Sequence, residues 1–513
     1  MKRLKFGGTT ARSLALPFVA VTAGLMSACS TLQPADTAPE YTPPPATTQL
    51  WDDVRAATAD DWHVLLNDGP FALDWRLTAI DSASESIEVQ TFLWFFDTAG
   101  SMVLDHLLRA ADRGVTVRML IDDTFLVHKD ELLMALADHP NIEYRVFNPF
   151  KRRSGGVATR QLLNLADFSR LDHRMHNKSM VVDNQVAIVG GRNLADEYFG
   201  LEDGANFRDL ELLLGGDVVQ EISSAFDKYW NDQWSFPIES IAHTKASTEQ
   251  LAEARRSSDA SSHLHAEVSA VQLRQRWLDV LQTADTGEAI LYADKPPEQN
   301  PKELSEAPVQ VANELVDLFD AAQSEIVIIT AYLIPTPTLE GAVKRALDRG
   351  VRVRILTNSL GSNNHLTAHS AYRKHVNTLL EYGAEMHEVR VDAEDRERYM
   401  LEPVDEKTLA LHAKALLIDN DKVFVGSANL DPRSLRINTE MGFLILSEGF
   451  NQSTRRALDP DFSQDNSWRL RLDADDRVIW VSGDDTQTSQ PDVSSMQKIE
   501  DWFFSHMPIE DEL

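Results

Sequence analysis

His176-Asn177-Lys178-Ser179-Met180-Val181-Val182-Asp183 and His412-Ala413-Lys414-Ala415-Leu416-Leu417-Ile418-Asp419 follow one pattern, H-x-K-x4-D, at an offset of 236 residues. Seven residues after each Asp stands Gly190 or Gly426, and three further on Asn193 or Asn429. A single such motif arises by chance in a chain of this length with a probability on the order of a few per cent. Two copies in register with a second repeat do not. That second repeat is Asp112-Arg113-Gly114-Val115 against Asp348-Arg349-Gly350-Val351, at the same offset. The chain is an internal duplication.

Working outward, each copy begins with a strand-like apolar run, 87–94 or 326–333. A helical stretch, the Gly turn and a second apolar run, 115–121 or 351–356, follow. Strand, helix and strand joined by a Gly stop predict a βαβ unit in a parallel or mixed sheet. Each H-x-K-x4-D leads into an apolar run that ends at a turn, Asp183-Asn184 or Asp419-Asn420-Asp421, and then a second run, so the motif predicts one arm of a β-hairpin. Side chains two apart share a strand face, which puts each His beside its Lys. The Asp, seven residues past the His, falls on the opposite face and is expected to be a structural partner.

The chain has 513 residues, 43% hydrophobic and 25% charged, which fits two globular domains and excludes a wholly disordered chain. Its formal charge of −31 argues against a nucleic-acid partner, whose binding needs clustered bases. Cys29 is the only cysteine, so an internal disulfide and a four-thiolate metal site are excluded. It follows a basic start and an apolar stretch, 14–26, too short for a membrane span of about 20 residues. Leu25-Met26-Ser27-Ala28-Cys29 resembles a bacterial lipobox, which implies cleavage before Cys29 and lipidation of it. A cell-envelope, periplasm-facing protein follows, with Ser30 favouring the outer membrane. The expected organisation is a signal (1–28), a Pro-rich extended tether (29–50), a first domain (51–237), a connection (238–302), a second domain (303–485) and an amphipathic tail (486–513).

With Asp167-Phe168-Ser169-Arg170-Leu171 before the first motif, Asp431-Pro432-Arg433-Ser434 and Asn438-Thr439-Glu440-Met441-Gly442-Phe443 after the second, the chain resembles the phospholipase D superfamily. Within it the chain is most similar to bacterial cardiolipin synthase C-type enzymes. The resemblance implies an α/β fold of two similar phospholipase D-like α/β/α sandwich domains forming one pseudo-twofold active site. It marks His176, Lys178, Asp183, His412, Lys414 and Asp419 as the catalytic signature. One His attacks phosphorus and the other serves as acid and base; by analogy His176 is the nucleophile. Lys178, Lys414, Asn193, Ser427 and Asn429 would hold phosphate, Gly191 standing where the second half has Ser427. Asp209 and Glu440 resemble the acids that orient the histidines.

No cofactor and no metal are implied. His365 and His369 lack the intervening Glu of a zinc motif. His369 and Tyr372 are instead candidate substrate contacts. The bases Lys151, Arg152, Arg153, Arg160, Arg170 and Arg174 are expected to rim a phosphate headgroup site. His263 and His265 are expected to be exposed in the connection, and the tail around Trp502 to pack on the body. The implied activity is phosphatidyl transfer between phospholipids to make cardiolipin. A phospholipase D-type hydrolase, in which water replaces the acceptor lipid, stays open, as do a nuclease and a non-enzymatic lipid-binding protein. The partners implied are phospholipids and a membrane surface reached through the lipid anchor, for a chain active as a monomer; the sequence gives no accessory subunit.

Overall fold

The structure, a computed structural model, describes residues 32–58, 61–297, 310–363, 365–491 and 493. The signal, Cys29 and the tail beyond 493 lie outside them. Two mixed sheets dominate the rest, of nine and ten strands. In the first, the hairpin Ser179–Val182 and Val186–Gly190 runs antiparallel to Ser86–Thr91, with Thr116–Asp122 and Ile142–Phe147 parallel beyond it. The second repeats this with Lys414–Ile418, Lys422–Gly426, Glu325–Thr330, Arg352–Asn358 and Glu385–Val389.

The repeated Asp-Arg-Gly-Val is the end of a helix. Thr98–Asp112 stops where Gly114 takes φ 98°, and Pro337–Asp348 stops where Gly350 takes φ 86°. Val115 N–H then donates to Ala110 O at 3.1 Å and Val351 N–H to Ala346 O at 3.0 Å, closing the last turn before the next strand.

Strand alternation divides the apolar side chains between cores. Met180 and Val182 pack beneath Gly69–Ser82 and Thr98–Asp112, while Val181, Ala187 and Val189 face the other way. In the second sheet Leu416 and Ile418 serve their own domain, while Ala415 and Leu417 face the first. The two sheets thus share a buried seam. Each fully buried Val, Ile or Leu there contributes about 1.5–3 kcal/mol, and the seam fixes the halves against each other.

Domain boundaries differ from the sequence reading. Most of the connection belongs to the first domain: Trp277, in Ala270–Leu281, sits among Trp51, Trp62 and Trp75 at centroid distances of 5.4, 6.4 and 5.1 Å. Asp285–Thr286 still pairs with the first sheet and Glu288–Ala293 with the second. The crossover is Gly287, with φ 154°, where a Cβ would stand 2.5 Å from Leu446 O. Nor is His265 exposed; it is buried between Asp74 at 2.8 Å and Asp81 at 3.4 Å. The Pro-rich segment is no free spacer either. From Ala35 to Ala46 its amides bond Gln233 O, Asn231 Oδ1, the Asp227 carboxylate and Asp183 O at 2.7–2.9 Å.

Asp183 is a structural carboxylate, though strand alternation is not the reason. The strand has ended by then, and Asp183 and Asp419 take φ 54° and 52° in the turn. Asp183 accepts from Trp51 Nε1, the amides of Ser84, Glu85 and Ser86, and Ser84 Oγ, all at 2.7–3.0 Å. Asp419 does the same for Gln323, Ser324 and Glu325. Both motif Asp residues therefore pin the start of the strand next to the hairpin, at the end remote from the His-Lys pairs. Replacing Asp183 by Ala orphans several buried donors at about 1–3 kcal/mol each, so its melting temperature should fall on the order of 5–10 °C. Asp419→Ala, at a more exposed turn, should fall less. A melting curve for each checks this; a wild-type curve for Asp183→Ala contradicts it.

Candidate active site

The two motif histidines are brought together by strands that cross between the halves. Thr408–Leu411 lies parallel to Ala205–Arg208 of the first half, and Met175 bridges Thr439 of the second. At the end of each ladder the histidine amide donates across it, His412 N–H to Arg208 O at 2.8 Å and His176 N–H to Thr439 O at 2.9 Å. The next residue on each facing strand is the acid. His412 Nδ1 therefore meets Asp209 Oδ2 at 2.6 Å, and His176 Nδ1 meets Glu440 Oε2 at 2.9 Å. Counting along one half puts each acid after its own histidine; in space each serves the other.

Behind each histidine a polar residue on the central sheet holds the preceding amide. Asp122 Oδ2 accepts from Met175 N–H at 3.2 Å, and Asn358 Oδ1 from Leu411 N–H at 2.8 Å. These two were missed in the motif reading, although they stand at the 236-residue offset themselves. Asp294, also missed, accepts from Glu440 N–H at 3.0 Å and so fixes the acid's backbone. Aromatic rings set the imidazole planes: Phe92 lies 5.0 Å edge-on from His176, and Tyr198 5.0 Å edge-on from His412.

Lys178 and Lys414 are buried beside their histidines, each ammonium on the carbonyl of its own His. Ser427 Oγ donates to Glu440 Oε2. Gly191 at the matching position is required: a Cβ there would lie 2.2 Å from Asp209 Oδ1. Asn193 Nδ2 donates to Tyr198 Oη at 2.8 Å, and the buried carboxamide oxygens of Asn193 and Asn429 have no partner among the described residues.

Burial pushes both imidazoles below their ordinary value, His412 to about 3, with the lysines adding to it and the acids opposing. Burial also lowers Lys178 to about 7 and Lys414 to about 8. Burial works against ionisation of Asp209 and Glu440, but the imidazoles and lysines outweigh it and hold both carboxyls below the usual range. Neutral imidazoles thus donate Nδ1–H to carboxylates, which reserves Nε2 for chemistry.

Two sets of expected residues are placed elsewhere. His369 and Tyr372 are buried in the second domain, His369 against Gln490 and Tyr372 Oη donating to Glu388 at 3.0 Å; they pack a helix and do not line the site. Most of the expected basic rim is turned inward. Arg153 and Arg160 pair with the buried Asp123, Arg174 with Asp122, and Arg170 with Asp167. Only Lys151 and Arg152 of that set are exposed. A recess of about 200 Å³ opens beside His176, lined by Phe92, Phe168, Arg174 and Asn438 among others.

The family model described as "Cardiolipin synthase, PLD-like domain" matches residues 77–230 and 315–462, one copy in each half. Cardiolipin synthase C of Escherichia coli (strain K12) is 34% identical over 80% of this chain and 86% of its own length. A cardiolipin synthase of Oceanobacillus iheyensis is 23% identical over 84% of this chain and 75% of its own. Phosphatidylserine synthase of Haemophilus influenzae shares the fold, with a TM-score of 0.55 at 15% identity, over 83% of this chain and 92% of that one. Duplicated sheets, paired motifs and both matched regions agree, and this chain belongs to the cardiolipin synthase family of phospholipase D-like proteins.

Proposed function

We propose that this chain transfers a phosphatidyl group from one phospholipid to the hydroxyl of another, making cardiolipin. The observation that carries the reading is the crossed pair of histidine–carboxylate contacts with a buried lysine beside each. His176 Nε2 attacks the donor phosphorus, forming a P–N bond as the P–O bond to the leaving alcohol breaks. His412 supplies that alcohol's proton. It is neutral at rest, and the bound phosphodiester anion, added to Asp209, favours its protonated form. The acceptor hydroxyl then returns a proton to His412 and displaces His176. Splitting one displacement into two is the advantage of the covalent route.

Lys178 and Lys414 meet the charge on the phosphoryl oxygens. With His412 Nδ1–H directed at Asp209, the 2.9 Å approach of Lys414 Nζ to the same nitrogen is a contact that a phosphate oxygen would relieve. Turning the Asn193 carboxamide lets its oxygen accept from Tyr198 and frees its NH2 for phosphate, since the two ends are nearly isosteric. Anchoring through Cys29, facing the periplasm, would hold the enzyme at its substrate.

Labelled phospholipid at low acceptor should trap an acid-labile phosphohistidine. His176→Ala should abolish trapping, and His412→Ala should slow its turnover. Because the acids cross, Glu440→Gln should behave like the His176 variant and Asp209→Asn like the His412 variant; the reverse pairing contradicts the geometry. Lipid extracts of a cardiolipin-deficient host expressing the chain or its His176→Ala form test the product, and release of phosphatidic acid alone would favour hydrolysis.

Lys178→Ala should cost about 3 kcal/mol of transition-state stabilisation, a hundredfold in rate. The pH profile carries a sign. The lysines must be protonated to hold phosphate, so kcat/KM should fall as pH rises through about 7–8. Burial keeps the His176 imidazole unprotonated below the usual histidine range, so the nucleophile adds no acid limb near pH 6. An alkaline limb near 10 would contradict the buried-lysine reading.

A further inference from the structure

Among the described residues seven large apolar side chains are exposed, and three of them fall within seven consecutive positions: Leu162 at 66%, Leu165 at 60% and Phe168 at 56%. They stand on three short helical segments just before the first motif, Val157–Leu163, Leu165–Asp167 and Phe168–Asp172. The segment is firmly held. Asn164, between Leu162 and Leu165, bonds Arg152 N and O at 3.0 and 3.1 Å and Arg160 O at 2.7 Å. That fixture leaves apolar side chains in water, a costly arrangement without an occupant. It also sets the exposed bases Lys151 and Arg152 at the edge of the patch.

The patch adjoins the mouth of the site. Phe168 lines the recess with Phe92, which contacts His176. A fourth exposed apolar side chain, Phe95, reaches Phe92 through Phe125 at centroid distances of 6.3 and 5.5 Å. A second, independent observation comes from the other end of the chain. The first described residue, Leu32, donates its amide to Asp167 Oδ2 at 3.3 Å, next to Phe168. Cys29 precedes it by three residues, a reach of at most about 10 Å. The apolar run 14–26 lies before that. The docked Pro-rich segment therefore brings its first described residue, Leu32, beside the apolar patch, on the side of the chain from which the proposed anchor extends.

We propose that Leu162, Leu165 and Phe168 form a bilayer-docking surface that seats the His176 recess directly on the membrane. A bilayer fits all of these features: apolar tips for the acyl boundary, bases for anionic headgroups, and an N-terminal attachment at the same place. The orientation rests on the reading that the site takes phospholipids, because it lets a lipid enter the recess without leaving the membrane.

The test uses the full-length chain, with Cys introduced singly at Leu162, Leu165 or Phe168 and labelled with an environment-sensitive fluorophore. Val271, exposed at 79% on Ala270–Leu281, is the control, and label on the unaltered chain is background. On vesicles containing anionic phospholipid and nitroxide-labelled acyl chains, the three patch probes should shift to the blue and be quenched severalfold, while the Val271 probe stays water-like. Water-like patch probes on vesicle-bound protein would overturn the proposal. So would probes already shifted without vesicles, since a segment of the chain itself would then cover the patch.

A second arm uses Leu162→Ser/Leu165→Ser, which lie outside the recess and should leave the melting curve unchanged. Turnover of vesicle lipid should drop tenfold or more, with turnover of short-chain dispersed phospholipid retained. Equal turnover of vesicle lipid by variant and wild type would overturn docking. Failure of the wild type to turn over either form would instead fault the phospholipid reading, and the probes would still decide the docking question.

Discussion

One backbone hydrogen bond, made twice, governs the site. Each motif histidine donates its amide to the carbonyl just before the acid of the opposite half, Arg208 for His412 and Thr439 for His176. Once that register is set, Asp209 and Glu440 must arrive at the imidazoles of the other half. Neither half can therefore build a complete histidine–carboxylate pair alone. The shared apolar seam between the sheets serves chemistry as well as stability, because a shift of one sheet by one residue would separate both pairs at once. The short crossover at Gly287 and the capping of strand starts by Asp183 and Asp419 serve the same register from outside the site.

The duplication is nearly symmetric, and its departures follow from size. Asp209 is one methylene shorter than Glu440, and its carboxylate occupies the space that a side chain on Gly191 would need. In the second half Glu440 is held by Ser427 Oγ, and Ser427 is in turn bonded by the Met441 amide at 3.0 Å. Gly with Asp, and Ser with Glu, fill equivalent volumes. The two histidines thus face different hydrogen-bond surroundings although their motifs read alike. That asymmetry fits the proposed division of labour, in which one imidazole carries the phosphatidyl group while the other cycles a proton.

The duplication, the hairpins and the Gly-terminated helices were legible because periodicity and a fixed offset survive in sequence. So were the histidines, lysines and acids, carried by a motif and a resemblance. What escaped depended on tertiary contacts, some within a half and some across the two. Asp122 and Asn358 differ in type, so their shared offset did not announce a shared task. The crossing of the acids is a property of strand pairing, not of spacing. His369 and Tyr372 lay in a segment similar to one near the lipid site, yet helix Leu366–Tyr382 turns them into the domain core. Most of the basic cluster was misread because Asp122, Asp123, Asp130 and Asp167, distributed before and within it, absorb its charge.

The chain's formal charge of −31 and its proposed anionic substrate are compatible because the two act at different ranges. Surface carboxylates are screened over a Debye length of about 8 Å at physiological salt. Lys178 and Lys414 are buried beside their histidines, where an ammonium acts on phosphate through a lower effective dielectric than water. The site's attraction for a phosphodiester is therefore local and the repulsion of the body is diffuse. A body of that charge would be pushed from an anionic bilayer over most of its surface. Apolar contact is the remaining attraction that salt and net charge do not weaken. The one described surface that combines exposed apolar side chains, exposed bases and the end of the docked N-terminal segment stands at the mouth of the His176 recess. The acidity of the rest then restricts which face can approach.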